Sequence, residues 1–131
     1  MKHTQDIIRY LLGKKEMSTF RLSRTLLLFD LEWAKKHGKK RTALHYVFYP
    51  SAFYIEEFPA ALEEMGDVEK VIVETPEGKK GIFRLKERKD VEIGEEERSL
   101  IDRILEETGS MNDHELNMHV VSREDYKSLL S

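Results

Sequence analysis

Helical periodicity opens the chain. Ile7, Ile8, Leu11 and Leu12 fall on one face of residues 5–13, and Gly13 is placed to stop that turn. Ser18 or Thr19 can cap a second helix running to about His37. Its apolar residues Leu22, Leu26, Phe29 and Trp33 follow i, i+4, i+7, i+11, and Leu27 and Leu31 add a second ridge. A stripe this wide suits a helix enclosed by its neighbours, so this element is predicted to be the centre of the fold. Gly38 is the expected left-handed cap.

Tyr46-Val47-Phe48-Tyr49 then reads as a short strand. From Ser51 to Met65 the alignment of Tyr54, Phe58, Leu62 and Met65 predicts helix, divided near Phe58 because Pro59 fits only a first turn. Val71-Ile72-Val73-Glu74 and Gly81-Ile82-Phe83-Arg84-Leu85 flank a Pro- and Gly-containing turn and predict a β-hairpin. After Gly94 a helix carries Leu100, Ile101, Ile104 and Leu105 as far as Gly109. Ser110 to Asp113 and Ser122 to Asp125 have capping-box spacing, which predicts two further short helices. The order gives one domain over residues 1–131. Its class is α+β and mostly helical, with helices around a central apolar helix, a small hairpin and a winged-helix-like middle section.

The chain of 131 residues has 40% hydrophobic positions, enough for a core, and no apolar run near the roughly 20 residues that would span a bilayer. No membrane partner and a cytoplasmic location are therefore expected, since Met1 to Asp6 lacks the layout of an export signal. There are no cysteines, which removes disulfides, thiolate nucleophiles and cysteine-rich zinc sites. A charged fraction of 36% with few amides is the composition of a thermophile protein.

The net charge of −3 hides an asymmetry: residues 1–50 hold eleven Lys/Arg and four Asp/Glu, whereas residues 51–131 hold eleven and twenty-one. A basic and an acidic end can mean a nucleic-acid face, a pairing surface between molecules, or an internally compensated surface. The helix–hairpin unit from Ser51 to Leu85 suits a winged helix, the module of many DNA-binding regulators. However, residues 42–69 contain no Lys or Arg, so the expected recognition helix would repel phosphates.

Chemistry finds few footholds. Glu95-Glu96-Glu97 sit where a helix dipole favours acids, and no nucleophile elbow or phosphate-binding glycine loop is present. His114 and His119 are five apart, a spacing that diverges on a helix, so no metal site, cofactor or catalytic residue is expected. Instead, residues 46–58 concentrate Tyr46, Phe48, Tyr49, Phe53, Tyr54 and Phe58, six of the eleven Tyr and Phe. Some of these rings are expected on the surface beside the basic loop 35–41. Tyr46, Tyr49, Phe53, Tyr54, Lys39, Lys40 and Arg41 are thus the candidate partner-binding residues.

Taken together, these segments resemble the Panacea domain (SocA-like) family across about residues 17–120. The family's leucine-rich helix, of the type L-x-K-L-L-Y-F-A followed by an aromatic, is matched by Leu22-Ser23-Arg24-Thr25-Leu26-Leu27-Leu28-Phe29 and Trp33. Lys36-His37-Gly38-Lys39, Phe48-Tyr49-Pro50, Leu62 to Gly66, Glu95 to Asp102, and Glu115-Leu116 with His119 are similar to its later segments. Tyr49-Pro50 stands where the family commonly has Gly-Pro. The resemblance implies a non-enzymatic protein-interaction module, an antitoxin or proteolytic adaptor whose partner is another protein such as a toxin. A winged-helix transcriptional regulator is the alternative, and a homo-oligomer is compatible with either.

Overall fold

In the computed structural model, which describes residues 2–87 and 90–130, the chain is α+β and mostly helical. Its elements in order are α1 (Lys2–Lys14), β1 (Met17–Ser18), α2 (Thr19–His37), β2 (Tyr46–Phe48), β3 (Phe53–Ile55), α3 (Ala60–Glu63), β4 (Val68–Thr75), β5 (Gly78–Leu85), α4 (Glu95–Thr108), α5 (Asp113–Val121) and α6 (Glu124–Ser128). Among the described residues no helix is long and apolar enough to cross a membrane.

The central helix is where its stripe puts it. Leu22, Leu26 and Phe29 are fully buried, and α2 packs against α4, α5, β1 and β5. Trp33 is half-buried at the edge of this core, stacked on His37 at 4.2 Å. Ser18 caps α2 by accepting from the Arg21 amide. At the other end Gly38 takes φ 84°, a left-handed turn that leaves its N–H bonded to the Ala34 carbonyl. Burial of Ile7, Ile8, Leu11 and Leu12 from α1, Leu116 and Val120 from α5, and Tyr126 from α6 completes one hydrophobic cluster.

Two antiparallel sheets lie on this helical frame: a three-stranded one in the order β1-β5-β4, and a separate two-stranded one, β2-β3. The long hairpin is tighter than expected, pairing Thr75 with Gly78 across the two-residue loop Pro76-Glu77. β1, only Met17 and Ser18, joins this sheet opposite Phe83 and Ile82.

The largest correction concerns residues 51–65. Phe53–Ile55 is a strand that pairs with Tyr46–Phe48, and helix is confined to Ala60–Glu63, one turn. The spacing of Tyr54, Phe58, Leu62 and Met65 imitates a helical stripe. Phe53-Tyr54-Ile55, a run of aromatic and β-branched residues, gains more by pairing with the matching run at 46–48. Three smaller boundaries also move, while α4 ends at Gly109 as expected. Gly13 lies inside α1, which ends at Lys14. The α5 capping box is formed by Asn112 and Glu115 rather than Ser110 and Asp113, because the asparagine Oδ1 meets the Glu115 amide at 2.8 Å. Ser122 ends α5, and Arg123 precedes α6 without a side-chain cap. Gly109 adopts the right-handed region.

Candidate interaction surface

Pairing β2 with β3 sorts the aromatic cluster by strand alternation. Side chains two apart share a face, so Tyr46, Phe48, Phe53 and Ile55 turn to the core while Val47, Tyr49 and Tyr54 turn outward. Phe53 is buried, and Phe48 and Phe53 pack on the ring of fully buried Tyr126 at 5.4 and 6.2 Å. Tyr49 and Tyr54 are 54% and 50% exposed, with their rings stacked on each other at 6.3 Å.

The base of this hairpin is held by Asp30 of α2, a carboxylate only 2% exposed. It accepts from the Arg41 and Thr42 amides (2.9 Å each), from Thr42 Oγ1 (2.5 Å) and from the Tyr46 hydroxyl (2.5 Å). Burial and the nearby carboxylate push the Tyr46 phenol well above its ordinary pKa, so it stays a donor. The tip is held by Tyr126, whose hydroxyl donates to the carbonyls of Tyr49 and Ala52, and by Asn117 Nδ2, which donates to the Ser51 carbonyl. Beside the tip lies Arg24, buried with its guanidinium 3.9 Å from the Phe20 ring centre and 4.4 Å from that of Phe53. It donates to Asn117 Oδ1 and Ser23 Oγ. Removal from water lowers its pKa below the ordinary arginine value.

The seven candidate residues therefore divide. Tyr49 and Tyr54 offer an open face. Phe53 is a core residue, and Tyr46 is half-buried with its hydroxyl turned to Asp30, so neither ring belongs to the exposed pair. The basic loop is mostly engaged within the molecule: Arg41 Nε donates to Glu97, Lys40 Nζ donates to the Thr42 carbonyl, and Lys36 pairs with Glu96. Lys39 is exposed and makes no ion pair among the described residues. The loop meets the hairpin through the Arg41 and Thr42 amides on Asp30, at the end where Tyr46 is held.

Glu97 at the start of α4 closes that loop from the other side. Its buried carboxylate accepts from Arg41, from His3 Nε2 (2.6 Å) and from the Gly94 amide (2.7 Å). Burial alone would raise its pKa, but the hydrogen bonds from His3 and Gly94 and the charges of His3 and Arg41 outweigh that and hold it below 4.5. Among the described residues one group could share a cation: His45, Glu56 and Glu57, with donor atoms within 4.8 Å of one another. His45 Nδ1 and its amide already engage the two oxygens of Glu57, a pairing that closes the hairpin base. His114 and His119 take no part in this group.

Asp30, Arg24, Asn117 and Tyr126 were absent from the expectations above. Their signal was present for two of them: Arg24 and Asp30 are the two charges in the leucine-rich, buried stretch 22–31, where a charge needs an internal partner. No family model, curated protein or solved structure matches the chain.

Proposed function

We propose that the chain is a non-enzymatic protein-interaction module that binds a partner protein through the outer face of the β2–β3 hairpin, in the manner of an antitoxin or proteolytic adaptor. The observation that carries this reading is the Tyr49–Tyr54 pair, two half-exposed stacked rings on a hairpin anchored at both ends. Tyrosines presented on a rigid support bury a large area and lose little conformational freedom on binding. The Panacea-like segments supply the partner class, a toxin. The order α1-β1-α2, later followed by the β4–β5 hairpin in one sheet with β1, supports a winged-helix-like shape with β4–β5 as the wing. It does not favour DNA: the element before the wing is one turn, ending in exposed Glu63 and Glu64, and most loop cations are paired internally.

The test compares the native protein with Tyr49→Ala/Tyr54→Ala in parallel affinity purifications from the source cells, followed by mass spectrometry. The partner so identified, first of all the product of the adjacent reading frame, is then titrated calorimetrically. Loss of two central aromatic contacts is expected to weaken binding at least about 30-fold at unchanged Tm. No protein enriched on the native chain over the variant, or equal affinities, would overturn the proposal.

A further inference from the structure

The three-stranded sheet ends in an uncovered strand. β4 pairs only with β5, and among the described residues its other side carries one backbone hydrogen bond, from the amide of its first residue, Val68, to the Met65 carbonyl, so the edge is open from Lys70 to Glu74. The two-residue loop closes on the hydrogen-bonded pair Thr75–Gly78, and such pairs alternate along an antiparallel ladder. The amides and carbonyls of Thr75, Val73, Val71 and Glu69 therefore face β5. Those of Glu74, Ile72 and Lys70 face solvent. Natural edges are blunted by charge, proline, a bulge or shortness; β4 carries charges of both signs, but it is eight residues long with no proline or bulge and has Ile72 57% exposed.

We propose that this edge pairs antiparallel with the same edge of a second copy of the chain, with Ile72 on the two-fold axis. The charge pattern selects both the partner and the register. Centred on Ile72, Lys70 of each copy lies opposite Glu74 of the other, Ile72 meets Ile72, and on the other face Val71 meets Val73. Each of Lys70, Ile72 and Glu74 then forms a hydrogen-bonded pair, as its outward backbone groups require. A shift to Val71 places Lys70 against Ile72, and a shift to Val73 places Ile72 against Glu74, so both neighbouring registers oppose a charge to an apolar residue. Among the described residues neither Lys70 nor Glu74 makes an ion pair, and both are exposed. The Lys70 chain lies along Gly81 with its Nζ 5.9 Å from the Phe83 ring, on the face where the opposing Glu74 would stand. The surface lies on a different hairpin from the tyrosine pair and does not depend on it.

One strand edge buries less than the roughly 1,000 Å² of a lasting interface, so the dimer is concentration-dependent. Sedimentation equilibrium of the whole chain from about 10 μM to about 1 mM should show monomer and dimer in exchange. Lys70→Glu and Glu74→Lys each convert two symmetry-related attractions into repulsions and should weaken the dimer at least about tenfold. The double variant Lys70→Glu/Glu74→Lys restores opposite charges and should recover to within about threefold of the native chain. That recovery also shows that the single changes leave the fold intact. A monomer throughout the range, a dimer indifferent to the single reversals, or a double variant no better than the singles would each overturn the proposal.

Discussion

Replacing Asp30 tests the anchor on which the hairpin depends. Its carboxylate is buried without a cationic partner among the described residues and is satisfied by neutral donors alone: two amides and two hydroxyls. In Asp30→Ala all four donors lose their acceptor. The Arg41 amide lies on an exposed residue and can turn to water, but the Thr42 amide, the Thr42 hydroxyl and the Tyr46 hydroxyl are enclosed. A stranded buried donor costs roughly 1–3 kcal/mol, and relief of the buried charge returns part of the sum, so a net loss of about 3–5 kcal/mol is expected. Against a total of about 5–15 kcal/mol, that leaves a chain near its folding threshold. Asp30→Asn keeps one acceptor oxygen and removes the charge, so its loss should be roughly half as large. Urea unfolding followed by far-UV circular dichroism and by Trp33 fluorescence measures both. A loss below about 1 kcal/mol for the alanine variant, or equal losses for the two variants, would refute the reasoning.

Further outcomes follow from the same contacts. Leu26→Ala, at a fully buried position of α2, should cost roughly 2–5 kcal/mol in a chemical melt; a loss under about 1 kcal/mol would mean that α2 is peripheral. Tyr126→Phe removes the hydroxyl shared by the Tyr49 and Ala52 carbonyls, and should cost about 1 kcal/mol while speeding amide exchange at residues 49–54. Glu97 has a folded pKa below its ordinary 4.5, so its contribution is complete above that pH and is lost as pH falls through the depressed value. Glu97→Gln should accordingly be less stable than the native chain at pH 7, with the two converging as the pH falls through the depressed Glu97 value, as read from urea midpoints. Mobility-shift titration at physiological salt should show no sub-micromolar binding to duplex DNA, given net charge −3 and internally paired cations.

Much of the frame was legible because it rests on long periodic signals. The i, i+4, i+7, i+11 stripe from Leu22 to Trp33 identifies α2, Gly38 marks its end, and alternation around Pro76-Glu77-Gly78 identifies the β4–β5 hairpin. Of the β2–β3 hairpin the first strand was legible, but its partner and their pairing were not. Each strand is three residues long, shorter than one period of evidence, and Tyr54, Phe58, Leu62 and Met65 happen to fall at helical spacing. That error carried into the site. A helix would expose the aromatics in a spiral, whereas strand alternation places Phe53 inside and Tyr54 outside with no change in composition. Clustering alone indicated exposed rings; only the pairing shows which ones.

The geometry of α2 explains why that pairing holds against the helical alternative. Arg24 and Asp30 are six residues apart on the helix, a rise of about 9 Å. From Tyr46, which reaches Asp30, to Tyr49, past the last paired residue, a strand covers about 10 Å. The helix therefore presents one polar anchor to each end of the hairpin: the carboxylate takes the Tyr46 hydroxyl and the loop amides, and the guanidinium lies against Phe53 and engages Asn117, which holds the Ser51 carbonyl. Each anchor is a charge that the core tolerates only while its hydrogen-bonding partners are in place, so slipping the hairpin by one residue would strand both. A register slip would also turn Phe53 to solvent and Tyr54 into the core. Two buried charges that look unfavourable in an apolar helix thus specify which tyrosines face outward.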